Sequence, residues 1–107
     1  MVILGIDPGL TKTGFGLVSI TKDDPKIIDF GIIQPNQKDN LSKRLYTIYL
    51  DMEQLIKTFS PTVLSIEDVF YGRNVKSALL LGQARGIAML CGAKNNIPVF
   101  EYSAKKV

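Results

Sequence analysis

Histidine and tryptophan are absent from this 107-residue chain, and cysteine occurs once, at Cys91. Without histidine there is no Ser-His or Cys-His nucleophile pair and no HExxH-type metal site, and a single cysteine excludes cysteine-rich zinc sites and any internal disulfide. Catalysis, if present, must then use carboxylates with a hard metal, a lysine or a tyrosine. A chain without a disulfide suits a reducing, cytoplasmic compartment. Cys91 itself lies among Met89, Leu90 and Ala93, where it reads as a small buried apolar side chain. No apolar run approaches the ~20 residues needed to span a bilayer, and the short N-terminal apolar stretch lacks the basic lead-in of a signal peptide. Internal repeats, low-complexity segments and linkers are also missing. The length suits one domain with a modest core.

What is present begins with Val2-Ile3-Leu4-Gly5-Ile6, an apolar run that ends on Asp7 and opens onto Pro8-Gly9. Its lack of alternation predicts a strand buried on both faces. A turn over residues 8–14, a returning strand from Phe15 to Ile20, a turn at Lys22-Asp23-Asp24-Pro25 and a third strand from Ile27 to Ile33 follow. Connections this short leave no room for crossover helices and predict an antiparallel meander. Leu41, Leu45, Ile48, Tyr49, Met52, Leu55, Ile56 and Phe59 then recur on one helical face, with Asn40 as N-cap and Pro61 as stop. A fourth strand at Val63–Glu67, a helix from Val75 to Ala93 capped by Asn74, a strand at Pro98–Tyr102 and the first turn of another helix from Ser103 complete the order. The predicted class is α/β, with one mixed five-stranded sheet flanked by helices.

Glu67 closes its apolar run as Asp7 closes the first. A strand–helix–strand return places the Glu67 strand parallel to a neighbour. If that neighbour is the first strand, two carboxylates stand ~4.8 Å apart at one sheet edge, a spacing that can share a divalent cation. Read alone, Asp7 would be a turn carboxylate accepting backbone N–H bonds beside Pro8-Gly9, and neither GxxxxGK[ST] nor GxGxxG is present to make a phosphate loop. Asp68 points to the opposite face from Glu67 and reads as solvated or turn-capping, while Asp29 and Glu101 read as surface charges. Beyond Glu67, Phe70, Tyr71, Arg73 and Lys76 offer aromatic and basic groups of the kind that stack on unpaired bases and neutralise phosphate, and the net charge of +3 permits an anionic partner. Phe70 can equally fold into the core, and Tyr71 reads first as half-exposed packing. On the second helix, Ala78, Gly82 and Gly86 recur every four residues. Each interior glycine costs ~1 kcal/mol of helix propensity relative to alanine, so they predict close approach of another backbone, and an almost wholly apolar helix predicts cover on more than one side.

These stretches resemble the N-terminal part of the RuvC family of Holliday-junction endonucleases, which have a ribonuclease H-like fold. The resemblance rests on Ile3-Leu4-Gly5-Ile6-Asp7-Pro8-Gly9 with Gly14, on Ile66-Glu67-Asp68-Val69-Phe70, on Ser77-Ala78-Leu79 with Leu81-Gly82-Gln83-Ala84-Arg85-Gly86, and on Pro98-Val99-Phe100-Glu101-Tyr102. It implies a homodimer that binds four-way DNA junctions and nicks two strands by phosphodiester hydrolysis with two Mg²⁺ ions, Mn²⁺ substituting, in recombination and repair beside a branch-migration motor. It implies metal-ligand roles for Asp7 and Glu67, junction contact for Phe70 and a DNA-facing place for Arg73 and Lys76, and the expected dimer face is Ala78, Gly82 and Gly86. The family's other two acids come from a C-terminal helix, so the expectation for this chain is a truncated, inactive core. Two alternatives remain: a non-catalytic junction-binding or dimerisation module, and a fragment of an actin- or sugar-kinase-like phosphotransferase.

Overall fold

The computed structural model describes residues 1–9, 11–68 and 74–103. Five strands and two helices follow in the order β1 (Val2–Asp7), β2 (Thr13–Thr21), β3 (Asp24–Ile33), α1 (Leu41–Phe59), β4 (Val63–Asp68), α2 (Val75–Lys94) and β5 (Val99–Ser103). The sheet order is β3-β2-β1-β4-β5, with β1–β2 and β2–β3 antiparallel and β1–β4 and β4–β5 parallel. The meander and the mixed sheet are as the sequence predicts. Both meander strands run longer than the apolar pattern, because the β2–β3 turn is only Lys22-Asp23, both left-handed at φ 52° and 63°. That two-residue connection has the twist that suits a hairpin, and it draws Asp24 and Pro25 into β3. Pro25, with no N–H to give, is tolerated because β3 is an edge strand. At the other end, Ser103 closes β5 rather than opening a helix, and the rest of that expected turn lies outside the described residues.

Both helices begin as the sequence dictates. The Asn40 side chain accepts from the Lys43 N–H at 3.0 Å, and Asn74 accepts from Lys76 and Ser77 at 3.0 and 3.2 Å, each satisfying donors that the first turn leaves free. Ser60 adopts the left-handed conformation that closes α1, one residue before Pro61. The helices lie on one face of the sheet. Leu4, Ile6, Leu17, Leu64 and Ile66 point down to meet Ile48, Met52, Ile56, Ala84, Ala88 and Cys91. Burying each large side chain contributes roughly 1.5–3 kcal/mol. Leu41, the first of the eight apolar α1 positions, is exposed. At the far end Glu53 accepts from Lys94 at 2.7 Å and from Asn95 at 2.8 Å, tying α1 to α2. Cys91 is buried there, and its thiol is pushed up to about 12 by desolvation and then by Glu53, which leaves it protonated and inert.

The helix glycines divide differently from the sequence expectation. A Cβ on Gly82 or Gly86 would meet nothing within 4 Å, whereas one on Gly92 would lie 2.4 Å from Val99 Cγ2 and 3.0 Å from Leu64 Cδ2. Within this chain the close approach of helix to sheet is therefore at Gly92. Gly92→Ala should destabilise the fold by about 1–3 kcal/mol through overpacking, while Gly82→Ala should stabilise it by up to ~1 kcal/mol through helix propensity. Urea midpoints of the two variants measure this, and equal midpoints would refute the assignment.

Candidate metal centre

Alternation along β1 and β4 decides which side chains meet. Leu4 and Ile6 of β1 and Leu64 and Ile66 of β4 are buried against the helices, so Asp7 and Glu67, each one residue further on, turn to the opposite, helix-free face. The parallel register pairs Gly5 with Ser65 and Ile6 with Ile66, bringing the two acids level at the C-terminal ends of adjacent strands. Glu67 records the proximity. Its carboxyl is held above the ordinary glutamate value, first by desolvation and then by the negative charge of Asp7 and a hydrogen bond between the two carboxyl groups.

Glycine keeps the site open. Gly14 stands opposite Asp7 in the β1–β2 register, and a Cβ there would already touch the Asp7 Cβ at 3.7 Å. Gly9 is fixed by the turn, where a Cβ would fall 2.2 Å from the Lys12 carbonyl oxygen. Gly5, Gly16 and Ser65 form the floor of a trough of ≈ 640 Å³ that runs up to Asp7 and Tyr102.

Tyr102 was not singled out by the sequence. The β4–β5 register sets it beside Glu67, and its phenol is held above the ordinary tyrosine value by desolvation and by the charges of Glu67 and Asp7. Only the pairing of β5 with β4, which places that strand's even positions on the acid face, could have marked it. Asp68 and Glu101 lie on the helix side and are exposed, as surface acids should be, and both also engage Arg85 of α2. Lys76 is exposed in the first turn of α2. Phe70, Tyr71 and Arg73 lie outside the described residues. Ala78 is half-buried, and Gly82 and Gly86 are exposed on α2.

Two carboxylates are the whole acid complement of this site among the described residues, which contain no group of three His, Cys, Asp or Glu side chains placed to hold a metal. Their chemistry nonetheless fits a cation. Two hard oxygen donors suffer mutual repulsion that a divalent ion such as Mg²⁺ relieves. No helix among the described residues is long and apolar enough to cross a membrane.

The family model "Crossover junction endodeoxyribonuclease RuvC" matches residues 3–107. A protein of that name from Alkaliphilus oremlandii is 40% identical over 107 residues, covering 100% of this chain and 65% of its own length. This chain thus spans a little under two thirds of that relative. In fold it is similar to Thermus thermophilus RuvC in complex with Holliday junction substrate (TM-score 0.90, 23% identity, 99% of this chain and 66% of that one). It is more distantly similar to the Aquifex aeolicus PPX-GPPA enzyme (TM-score 0.56, 12% identity, 99% and 37%). The sheet is thus of the ribonuclease H-like type.

The raised carboxyl of Glu67 gives the site a testable electrostatic signature. Because its pKa is higher folded than unfolded, the native state holds the proton more tightly, and stability falls as pH rises from the ordinary glutamate value through the raised one. Glu67→Gln should therefore melt above wild type at neutral pH without metal, with the gap closing towards about pH 4. Added Mn²⁺ should raise the wild-type melting temperature and leave the variant's nearly unchanged. Thermal melts across pH, with and without Mn²⁺, check both parts.

Proposed function

This chain belongs to the RuvC family of crossover junction endodeoxyribonucleases, and from that premise we propose that Asp7 and Glu67 form part of the metal centre of an endonuclease that resolves four-way DNA junctions. The observation that carries the reading is the parallel β1–β4 register, which levels the two acids on one face. We take the cofactor to be Mg²⁺, two ions in the complete site, with Mn²⁺ able to substitute. Bound there, the metal would supply Lewis-acid stabilisation of a phosphate oxygen and a lowered pKa for water beside it. The protein's own part is positional. Asp7 and Glu67 present oxygen donors from two rigid strand ends, the bare backbone of Gly14 leaves the approach to Asp7 clear, and Tyr102 flanks Glu67 on the same face.

The resemblance implies four acids, and these 107 residues supply two of them at the site. We therefore propose a chain that folds and engages junction DNA but does not cut it, with Phe70 stacking on junction bases and Arg73 and Lys76 meeting phosphate. The same surface logic supports a homodimer. Val75, Leu79 and Leu90 are 77, 61 and 55% exposed on α2, and the space beside Gly82 and Gly86 is empty of this chain's own atoms, which leaves room for a second copy. In the cell, the resolvase would act with a branch-migration motor and work in the cytoplasm.

Three outcomes are expected. The purified 107-residue chain should shift a synthetic four-way junction in a gel and leave it uncut in Mg²⁺, and Asp7→Asn should bind the junction at least as well, since repulsion of phosphate falls. Metal-dependent nicking by the chain would overturn the inactive-core reading. Gly82→Leu should move sedimentation towards monomer with little change in melting temperature, because no intrachain atom crowds that position. An unchanged oligomer would place the dimer contact elsewhere.

A further inference from the structure

The face of the sheet opposite the acid pair carries a second group of charges. Along β4, Asp68 follows Glu67 and so points to the helix side, and along β5 the register Ile66↔Glu101 puts Glu101 on that side too. Between them stands Arg85 from α2. Its Nη2 lies 3.7 Å from Asp68 Oδ1 and donates to Glu101 Oε1. The Arg85 side chain is 18% exposed, against 56% for Asp68 and 48% for Glu101, so the guanidinium is the seated member and the two acids reach in to it. One guanidinium nitrogen thus joins α2 to the last residue of β4 and the middle of β5, the two strands whose opposite faces carry Glu67 and Tyr102.

We propose that Arg85 is a positioning residue for the metal centre: by holding Asp68 and Glu101 on the helix face, it fixes the end of β4 against the middle of β5 so that Glu67 faces Asp7. The physical basis is alternation. Glu67 and Asp68 are neighbours whose side chains must point to opposite faces, so anchoring one orients the other. The end of β4 gains from such an anchor, because among the described residues its last buried side chain is Ile66. Arginine suits the task, since its planar guanidinium is always charged and can donate to one carboxylate while pairing electrostatically with another. The clamp also occupies two acids that would otherwise stand free beside a cation site. The inference rests on the reading of Asp7 and Glu67 as metal ligands and deepens it.

The sign of the effect separates positioning from simple charge. Removing a positive group near a cation site strengthens cation binding by Coulomb's law, whereas removing a positioning residue weakens it. Mn²⁺ titration of the 107-residue chain, followed through paramagnetic broadening of the amide signals around Asp7 and Glu67, reads the affinity directly. Arg85→Gln should weaken binding about 10-fold or more, the usual scale for groups that orient metal ligands, and Glu101→Gln should weaken it less. Glu53→Gln, which loosens the α1–α2 tie at the far end, should leave the affinity unchanged. Equal or tighter Mn²⁺ binding by Arg85→Gln would overturn the proposal, as would an equal loss in Glu53→Gln, which would mark a general effect of stability. Should Arg85→Gln fail to fold, Arg85→Lys, which keeps the charge and loses the planar guanidinium, decides: wild-type affinity there overturns the clamp. Asp7→Asn is the separate control. Undiminished Mn²⁺ binding in that variant would overturn the metal reading itself rather than the role of Arg85.

Discussion

The pairing of β1 with β4 is the constraint on which the rest of this structure depends. Its parallel register sets Leu4 beside Leu64 and Ile6 beside Ile66 in the core, and the same register carries Asp7 and Glu67 to one level on the other face. A slip of one residue would send every side chain of β4 to the opposite face, burying Ser65 and Glu67 and exposing Leu64 and Ile66. The apolar core thus enforces the acid pair. The start of the pairing is fixed as well: the Thr62 N–H donates to the Val2 carbonyl at 2.8 Å, and the Thr62 hydroxyl accepts from the Val2 N–H at 3.2 Å.

The two faces of the sheet serve different ends. The helix side is filled by α1 and α2, brought close enough at Gly92 for the helix to rest against Val99 and Leu64. The other side has a floor of Gly5, Gly16 and Ser65, with Phe30 and Phe100, both well exposed, at either end of the same row. Small residues there leave the approach to the acids clear. The helix α2 links the two roles. Its inner face packs the core, its outer face offers Leu79, Gly82, Gly86 and Leu90, and Arg85 reaches the end of β4 and the middle of β5.

Electrostatics set the site apart from the rest of the fold. Three acids beside the helices have cations: Glu53 has Lys94, and Asp68 and Glu101 have Arg85. Glu53 is accordingly held below the ordinary glutamate value, chiefly by its hydrogen bond to Lys94. Glu67 moves the other way, because its neighbour is another acid. Repulsion retained between two acids at a strand end is what a cation would relieve.

The sequence by itself determined the elements and the two acids. The 3.6-residue spacing of α1, the asparagine caps, Pro61 and the apolar runs ending in Asp7 and Glu67 are local signals, written in consecutive residues and therefore legible without a fold. Even there, edges escaped: Lys22 and Asp23 carry no glycine to announce their left-handed turn, and β3 accordingly begins earlier than its apolar pattern. What only the tertiary structure decided is pairwise. Whether β4 lies beside β1, which glycine of α2 meets the sheet, that Tyr102 stands beside Glu67 and that Asp68 and Glu101 share Arg85 all depend on register and facing between segments far apart in the chain. Alternation along a strand says that Glu67 and Asp68 part company, but not which of them faces the helices. That was settled by Leu64 and Ile66, whose burial fixes the phase of the strand and leaves Glu67 on the side of Asp7.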